Sequence, residues 1–231
     1  MNEIRAVVFD IGGTLMEYKN MPYVWFDFYE DAFREINEKL GLNLSDTELA
    51  HSLDILKSYN PGVNYREVDY TPEKIFGDVT ADWNTDIPLE TIINEFFGAM
   101  HLESVIYPES AAVLKELSLR DYIIGTYTNV VSGMPDSMHR SYFSELMPFF
   151  DIYVSSVSCG YRKPHPRGLE IIAGMFNLEP REILFVGDEK KDPMTAKRFG
   201  CKSVLINRSD EPREFRQDHT IKDLREIFRL L

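Results

Sequence analysis

Ile4-Arg5-Ala6-Val7-Val8-Phe9 leads straight into Asp10, and the chain then turns at Ile11-Gly12-Gly13-Thr14-Leu15. A short apolar run closed by paired glycines reads as a buried strand that empties into a loop. Runs of similar β-rich composition recur at Tyr122–Thr126, Ile152–Val154, Ile183–Val186 and Ser203–Ile206. Stretches of helical length separate them, at 109–119, 137–147, 167–177 and 191–199. Strands alternating with helices from 105 onward predict a parallel α/β sheet with helices on both faces.

Residues 17–104 follow a different rule. Phe26, Tyr29, Phe33, Ile36 and Leu40 recur at steps of three or four, the spacing of an amphipathic helix, and Gly41 closes it. Ser45 with Glu48 has the form of a capping box that opens a second helix through Leu49, Leu53 and Leu56. Pro88–Met100 reads as another helix, carrying Leu89, Ile92, Ile93, Phe96 and Phe97. Asn60-Pro61-Gly62 and the stretch 80–88 read as loops. The segment is therefore a helical insertion after the first strand, and its aromatic stripes are core rather than a ligand box. The expected organisation is a core made of 1–16 and 105–231, with 17–104 as the inserted domain.

Composition narrows the partners. Of 231 residues, 38 are acidic and 25 basic, a net charge of −13, which argues against nucleic-acid backbones and anionic membranes. A phosphorylated small molecule would have to be met by a bound metal or a local Lys. Cys159 and Cys201 stand far apart outside any CxxC pattern and read as reduced thiols. Met1-Asn2-Glu3-Ile4-Arg5 has no signal-peptide pattern, and no apolar run reaches membrane-spanning length, so the expected location is cytoplasmic.

Chemistry collects just beyond the ends of four predicted strands, at Asp10, Thr128, Lys163 and Asp188, with Asp192 four residues after Asp188. In an open parallel sheet the carboxyl ends of the strands converge on one crevice, where ligands bind. Carboxylates beside a Lys suit a site that holds Mg²⁺ and a phosphate together, since Mg²⁺ takes one or two carboxylates plus substrate oxygens and Lys acts on phosphate as a point charge.

These motifs resemble the haloacid dehalogenase (HAD) superfamily. Phe9-Asp10-Ile11-Gly12-Gly13-Thr14-Leu15 is similar to its first motif, normally Asp-x-Asp-Gly-Thr-Leu. Thr128-Asn129 resembles the second, and Gly160-Tyr161-Arg162-Lys163-Pro164-His165-Pro166 the third. Val186-Gly187-Asp188 followed by Asp192, Ala196 and Gly200 resembles the fourth, and Thr220-Ile221-Lys222-Asp223-Leu224 fits a closing helix. The resemblance implies a doubly wound, Rossmann-like core with a helical cap. It also implies a phosphatase in which Asp10 attacks phosphorus to give an aspartyl-phosphate. Thr128, with backbone N–H groups near Asn129, would bind the phosphoryl oxygens and Lys163 would neutralise charge. Asp10, the backbone carbonyl of Gly12, Asp188 and (through the second sphere or a water) Asp192 would hold Mg²⁺. His165, Glu189 and the Lys190-Lys191 pair are expected to carry no chemical role.

One position departs from the pattern. Family phosphatases place a second Asp two residues after the nucleophile as acid and base, and here that residue is Gly12. Losing such help typically removes ~10²–10⁴-fold in rate. Three consequences stand open: a slow phosphatase that favours good leaving groups, a replacement acid/base from Glu17, Tyr18 or His101, or a non-catalytic phosphate- or partner-binding protein. The dehalogenase branch, metal-free and attacking carbon, also lacks the second Asp, but Gly187-Asp188 resembles the metal-binding version. Asp10–Thr14 also resembles the phosphate loop of actin-like sugar kinases; the helical continuation and the later motifs do not fit that scheme.

Overall fold

A computed structural model describes residues 4–19 and 28–231. Phe26, the first residue of the expected aromatic stripe, and Met1, Asn2 and Glu3 lie outside the described residues.

Strand β1 (Ala6–Phe9) lies at the centre of the sheet. It pairs in parallel with β4 (Ile123–Thr128) on one side and with β6 (Ile183–Gly187) on the other, Ala6 standing opposite both Ile123 and Ile183. Next to β4 lies β5 (Ile152–Ser155); beyond β6 lie β7 (Lys202–Ile206) and β8 (His219–Ile221), giving the parallel order β5-β4-β1-β6-β7-β8. Alternation along β1 explains why the strand is apolar throughout. Val7 and Phe9 enter one core with Val113, Leu114 and Phe143, whereas Ala6 and Val8 enter another with Leu169, Ile172 and Ala196. The first core is roofed by helix α5 (Ser110–Leu119) and the second by α8 (Arg167–Phe176) and α9 (Lys191–Phe199). The doubly wound α/β reading is correct.

The C-terminal tail departs from expectation. Thr220 and Ile221 belong to a sixth parallel strand, and only Leu224–Arg229 coils, as a 3-10 helix capped by Asp223. The expected helix at 137–147 is shorter, α6 (Asp136–Ser141), followed by turns and a 3-10 segment at Met147–Phe149 that carries Pro148.

Between β1 and β4 the chain makes a two-stranded antiparallel ribbon of β2 (Met16–Tyr18) and β3 (Ser104–Ile106), which the sequence reading did not foresee. Among the described residues the ribbon brackets four α-helices: α1 (Tyr29–Leu40), α2 (Asp46–Ser58), α3 (Pro72–Val79) and α4 (Leu89–Gly98). Gly41 ends α1 in the left-handed region, at φ 62°. The Ser45–Glu48 capping box opens α2, with the Ser45 hydroxyl accepting from Glu48 N–H and Glu48 accepting from Ser45 N–H. Helix α3, capped by Thr71 with Pro72 at its first position, was not anticipated. All four share a core built on Phe33, Phe76, Phe96 and Phe97, and Val130 and Met134 from the loop after β4 insert into it. The helical insertion is thus seated directly on the loop that follows Thr128.

Candidate active site

The carboxyl ends of β1, β4 and β6 bring the expected residues together. Asp10 follows β1, Thr128 ends β4 and Asp188 follows β6, while Asp192 lies in the first turn of α9. Lys163 arrives after β5 and the single turn α7 (Ser156–Cys159). Its ammonium is fully buried, 2.8 Å from Asp10 Oδ1 and 2.6 Å from Asp192 Oδ1. A buried ammonium is tolerable only when paired in this way. Burial works against its charge, yet Asp10 and Asp192 more than offset that and hold Lys163 firmly protonated, its pKa above the usual range.

Carboxylate oxygens of Asp10, Asp188 and Asp192 all lie within 4.8 Å of one another. Three carboxylates against one ammonium leave an excess of negative charge. Burial raises the pKa of Asp10, but Lys163 and then Lys191 outweigh it and keep the group below its ordinary value. On Asp188 the opposing charge of Lys163 is only the smallest influence. Burial first, then the charges of Asp10 and Asp192, push its pKa up to about 8. Burial likewise raises Asp192 despite Lys163. A divalent cation would relieve this imbalance. Octahedral Mg²⁺ with ligands at about 2.1 Å spaces its oxygens roughly 3–4 Å apart, so the donor set fits that ion.

Local backbone makes the cluster possible. Gly13 sits at φ 74°, and a Cβ there would lie 2.2 Å from Asp188 Oδ2. A Cβ on Gly187 would lie 2.3 Å from Asp192 Cγ. Thr14 Oγ1 donates to Asp188 Oδ1 at 3.2 Å, which fixes the carboxylate against the loop after β1.

Two of the expected residues make further contacts. The Asn129 side chain grips the backbone of Lys163: its Oδ1 accepts from Lys163 N–H at 2.8 Å and its Nδ2 donates to Lys163 O at 3.2 Å. Asn129 therefore positions Lys163 with its side chain, leaving only its main chain for a ligand. Both oxygens of Asp192 are also engaged, one by Lys163 and the other by Glu189 N–H at 2.8 Å. Thr128 is 2% exposed, and its hydroxyl has no hydrogen-bond partner among the described residues.

Above the cluster opens a cleft of about 610 Å³, lined by Asp10, Gly12, Thr128, Asn129 and Lys163, a size suited to a small molecule. Asp188 and Asp192 lie behind this lining, next to Gly13 and Glu189 of its wall. Glu189 and Lys191, expected to be merely solvated, stand at its wall, paired at 2.6 Å. Glu17 and Tyr18 line it as well. His101 does not: it is on the surface beside Glu35, 3.2 Å away. His165 stacks on Tyr161, as befits a loop residue.

Sequence reasoning missed the side of the cleft contributed by the insertion. Tyr29, Asn60 and Arg66 line it, with Arg162 and His139 from the core. Arg162 donates to Asp69 Oδ2 at 2.7 Å and to Val130 O at 2.9 Å. Arg66 donates to Asp69 Oδ1 at 2.6 Å and to Ser132 Oγ at 3.0 Å. Main-chain bonds join the same segments, Asp69 N–H to Gly160 O at 2.8 Å and Arg162 N–H to Glu67 O at 2.7 Å. The only available signal was Arg162 standing next to Lys163; Arg66 and Asp69 lie in a stretch without periodicity.

Comparison with known proteins agrees with this geometry. The family model of the haloacid dehalogenase-like hydrolases matches residues 4–200. A phosphoglycolate phosphatase of Yersinia pestis is 34% identical over 87% of this chain and 80% of its own length. One from Salmonella typhimurium is 28% identical over 88% of this chain and 81% of its own. Among solved structures, a 2-haloacid dehalogenase from Pseudomonas syringae aligns with TM-score 0.70 at 17% identity, over 98% of this chain and 97% of that one. A HAD phosphatase from Thermococcus onnurineus aligns with TM-score 0.64 at 21% identity, over 98% and 97%. Both structural likenesses concern the fold.

Proposed function

This chain belongs to the haloacid dehalogenase-like hydrolases, and from that premise we propose that it is a Mg²⁺-dependent phosphohydrolase acting on a small phosphorylated metabolite through Asp10. The observation that carries the proposal is the buried contact of Lys163 with Asp10 beside the Asp10–Asp188–Asp192 cluster. The similarity to phosphoglycolate phosphatases over most of the chain supports the same chemistry. It also favours phosphorus over carbon as the atom attacked, since a metal-free 2-haloacid dehalogenase has no use for a cluster of carboxylates.

Asp10 stays ionised beside Lys163 and so keeps the lone pair a nucleophile needs. Thr128 offers its hydroxyl to a phosphoryl oxygen, and Lys163, held by Asn129 and Asp192, neutralises charge on the transferring group. Asp10, the Gly12 carbonyl and Asp188 would hold Mg²⁺, with Asp192 supporting them. The ion would screen the attacking carboxylate from the anionic phosphate. Four helices of the insertion, residues 17–104, act as the cap that shelters the transfer from water. Two guanidinium groups share the single carboxylate of Asp69, so this side of the cleft carries surplus positive charge, suited to an anionic substrate.

The direct test is turnover of an aryl phosphate with and without Mg²⁺ by the native protein, Asp10→Asn and Gly12→Asp. Mg²⁺-dependent turnover that vanishes in Asp10→Asn is the expected result. Turnover that persists in Asp10→Asn, or chloride release from a 2-haloacid without Mg²⁺, would overturn the reading.

A further inference from the structure

Gly12 leaves the site without the carboxylate that would serve as acid and base, although the space for one exists. A Cβ on Gly12 would meet nothing within 4 Å, and its φ lies outside the left-handed region. The neighbouring wall supplies another titratable group. His139, on α6, lines the same cleft as Asp10 and Gly12 while being only 5% exposed.

The hydrogen bonds of the imidazole define its tautomer. Tyr153 Oη donates to Asp136 Oδ1 at 3.1 Å, which uses the one proton of the phenol. The contact of 2.9 Å between Tyr153 Oη and His139 Nδ1 therefore has Nδ1–H as donor. Nε2 then carries the lone pair, and it has no partner among the described residues. Phe143 packs edge-on against the ring at 5.1 Å and holds its plane. A carboxylate, a phenol and an imidazole in series, on a residue that lines the cleft and whose Nε2 has no partner among the described residues, is the arrangement of an oriented base.

We propose that His139, through Nε2, takes the proton from the water that hydrolyses the Asp10 phosphoryl ester. The inference rests on the phosphatase reading. In this step the water oxygen bonds to phosphorus and the bond from phosphorus to Asp10 Oδ breaks. The Asp10 carboxylate is regenerated, the proton passes to Nε2, and from there it returns to solvent as phosphate leaves. Burial lowers the imidazole pKa to about 4, only partly opposed by the charge of Asp10. Base strength of that size matches an ordinary Asp, ~3.9, which is the residue type missing at position 12. The same burial keeps His139 unprotonated at neutral pH, so it serves the hydrolytic half of the cycle, and the first half favours leaving groups that need no proton. The other polar groups here are less suited. Glu17 is exposed and accepts from Tyr107 Oη at 3.0 Å, and burial raises the Tyr18 phenol above its ordinary pKa, keeping it protonated.

The test is burst kinetics on an aryl phosphate with Mg²⁺, comparing the native protein, His139→Gln, Gly12→Asp and the double variant His139→Gln/Gly12→Asp, each checked for folding by thermal melt. The expected result for His139→Gln is a burst of one phenol per enzyme, an accumulated acid-stable phosphoenzyme and a steady rate ~10²–10⁴-fold lower. Adding Gly12→Asp should restore turnover to the level of the Gly12→Asp single variant, so that losing His139 costs nothing once position 12 carries a carboxylate; a purely structural defect would persist in the double variant. Unchanged turnover in His139→Gln overturns the assignment and leaves the phosphatase reading intact. Loss of burst and turnover together in a folded His139→Gln overturns it too. A native protein without Asp10-dependent turnover takes down the phosphatase reading and this role with it.

Discussion

Replacing Lys163 by Met would remove the one ammonium that, among the described residues, is paired with the acidic cluster, while keeping nearly the same length of side chain. Lys163 contacts two carboxylates, at 2.8 and 2.6 Å, and is fully buried. Removing one partner from a buried ionic group costs about 3–5 kcal/mol, because the remaining charges lose compensation without regaining water. For a chain of this size, each kcal/mol moves the melting temperature by about 2–4 °C, so the expected drop is roughly 6–20 °C. The loss should depend on pH in a defined direction. Without Lys163, Asp10 loses the charge that holds it below its ordinary pKa and moves up, and Asp192, already raised by burial, rises further. Stability from such groups is present at low pH and is lost as pH rises through the folded pKa. Unfolding of native and Lys163→Met protein at pH 5.5 and pH 8.5, with EDTA or with excess Mg²⁺, reads all of this. The deficit should be larger at pH 8.5, and Mg²⁺ should shrink it at that pH. An equal deficit at both pH values, unmoved by Mg²⁺, would refute the electrostatic account of the cluster.

Three further outcomes follow from named contacts. His139 has a folded pKa of about 4 against an ordinary 6.5, so its contribution is complete above pH 6.5 and is lost as pH falls toward 4. The difference is about 3 kcal/mol. Tyr153 and Phe143 touch the ring, Asp136 is bonded to Tyr153, Asp10 acts on it through its charge and Arg140 lies over Tyr153; urea unfolding of His139→Gln should lose less between pH 7 and pH 4.5 than the native protein. Gly187→Ala forces Asp192 away from Lys163 and should cost about 1–3 kcal/mol by overpacking, together with turnover, measured by thermal melt and aryl phosphate assay. Asp69→Asn removes the one carboxylate shared by two guanidinium groups and should cost about 3–5 kcal/mol, read by denaturant titration; a cost near zero would show that the main-chain bonds alone seat the insertion.

Legibility in the sequence followed the range of the interactions. Strands β1, β4, β6 and β7 were readable because burial on both faces demands largely apolar or β-branched runs, and β5 because its Ile152-Tyr153-Val154 is rich in strand-forming residues; the ends of β1, β4 and β6 locate the sheet edge where Asp10, Thr128 and Asp188 stand. Caps written in two or three letters, Ser45 with Glu48 and Gly41, were readable too. β8 was not, because His219-Thr220-Ile221 is only three residues long and buries only Ile221, too little to show a strand pattern. The ribbon of β2 and β3 joins residues far apart in the chain, and nothing local announces such a pairing. Asp69, Arg66 and His139 escaped for a related reason. Each gains its significance from partners on other elements: Arg162, Ser132 and Tyr153.

Those non-local contacts also decide what kind of cap the insertion can be. Its loop at 66–69 is bonded through the main chain to 160–162 and through Asp69 to Arg162, the residue immediately before Lys163. Ser132 and Val130, on the loop after Thr128, touch the same insertion through Arg66 and its core. A cap attached only at the ribbon could swing without disturbing the catalytic edge. Here two of the loops that present Thr128 and Lys163 are themselves part of the cap's footing, so any opening that broke the Asp69–Arg162 contact would also loosen the grip of Asn129 on Lys163. On the proposed phosphatase reading, entry of substrate beneath the insertion is therefore coupled to the alignment of Thr128 and Lys163, and changes at Asp69 should alter turnover as well as substrate affinity.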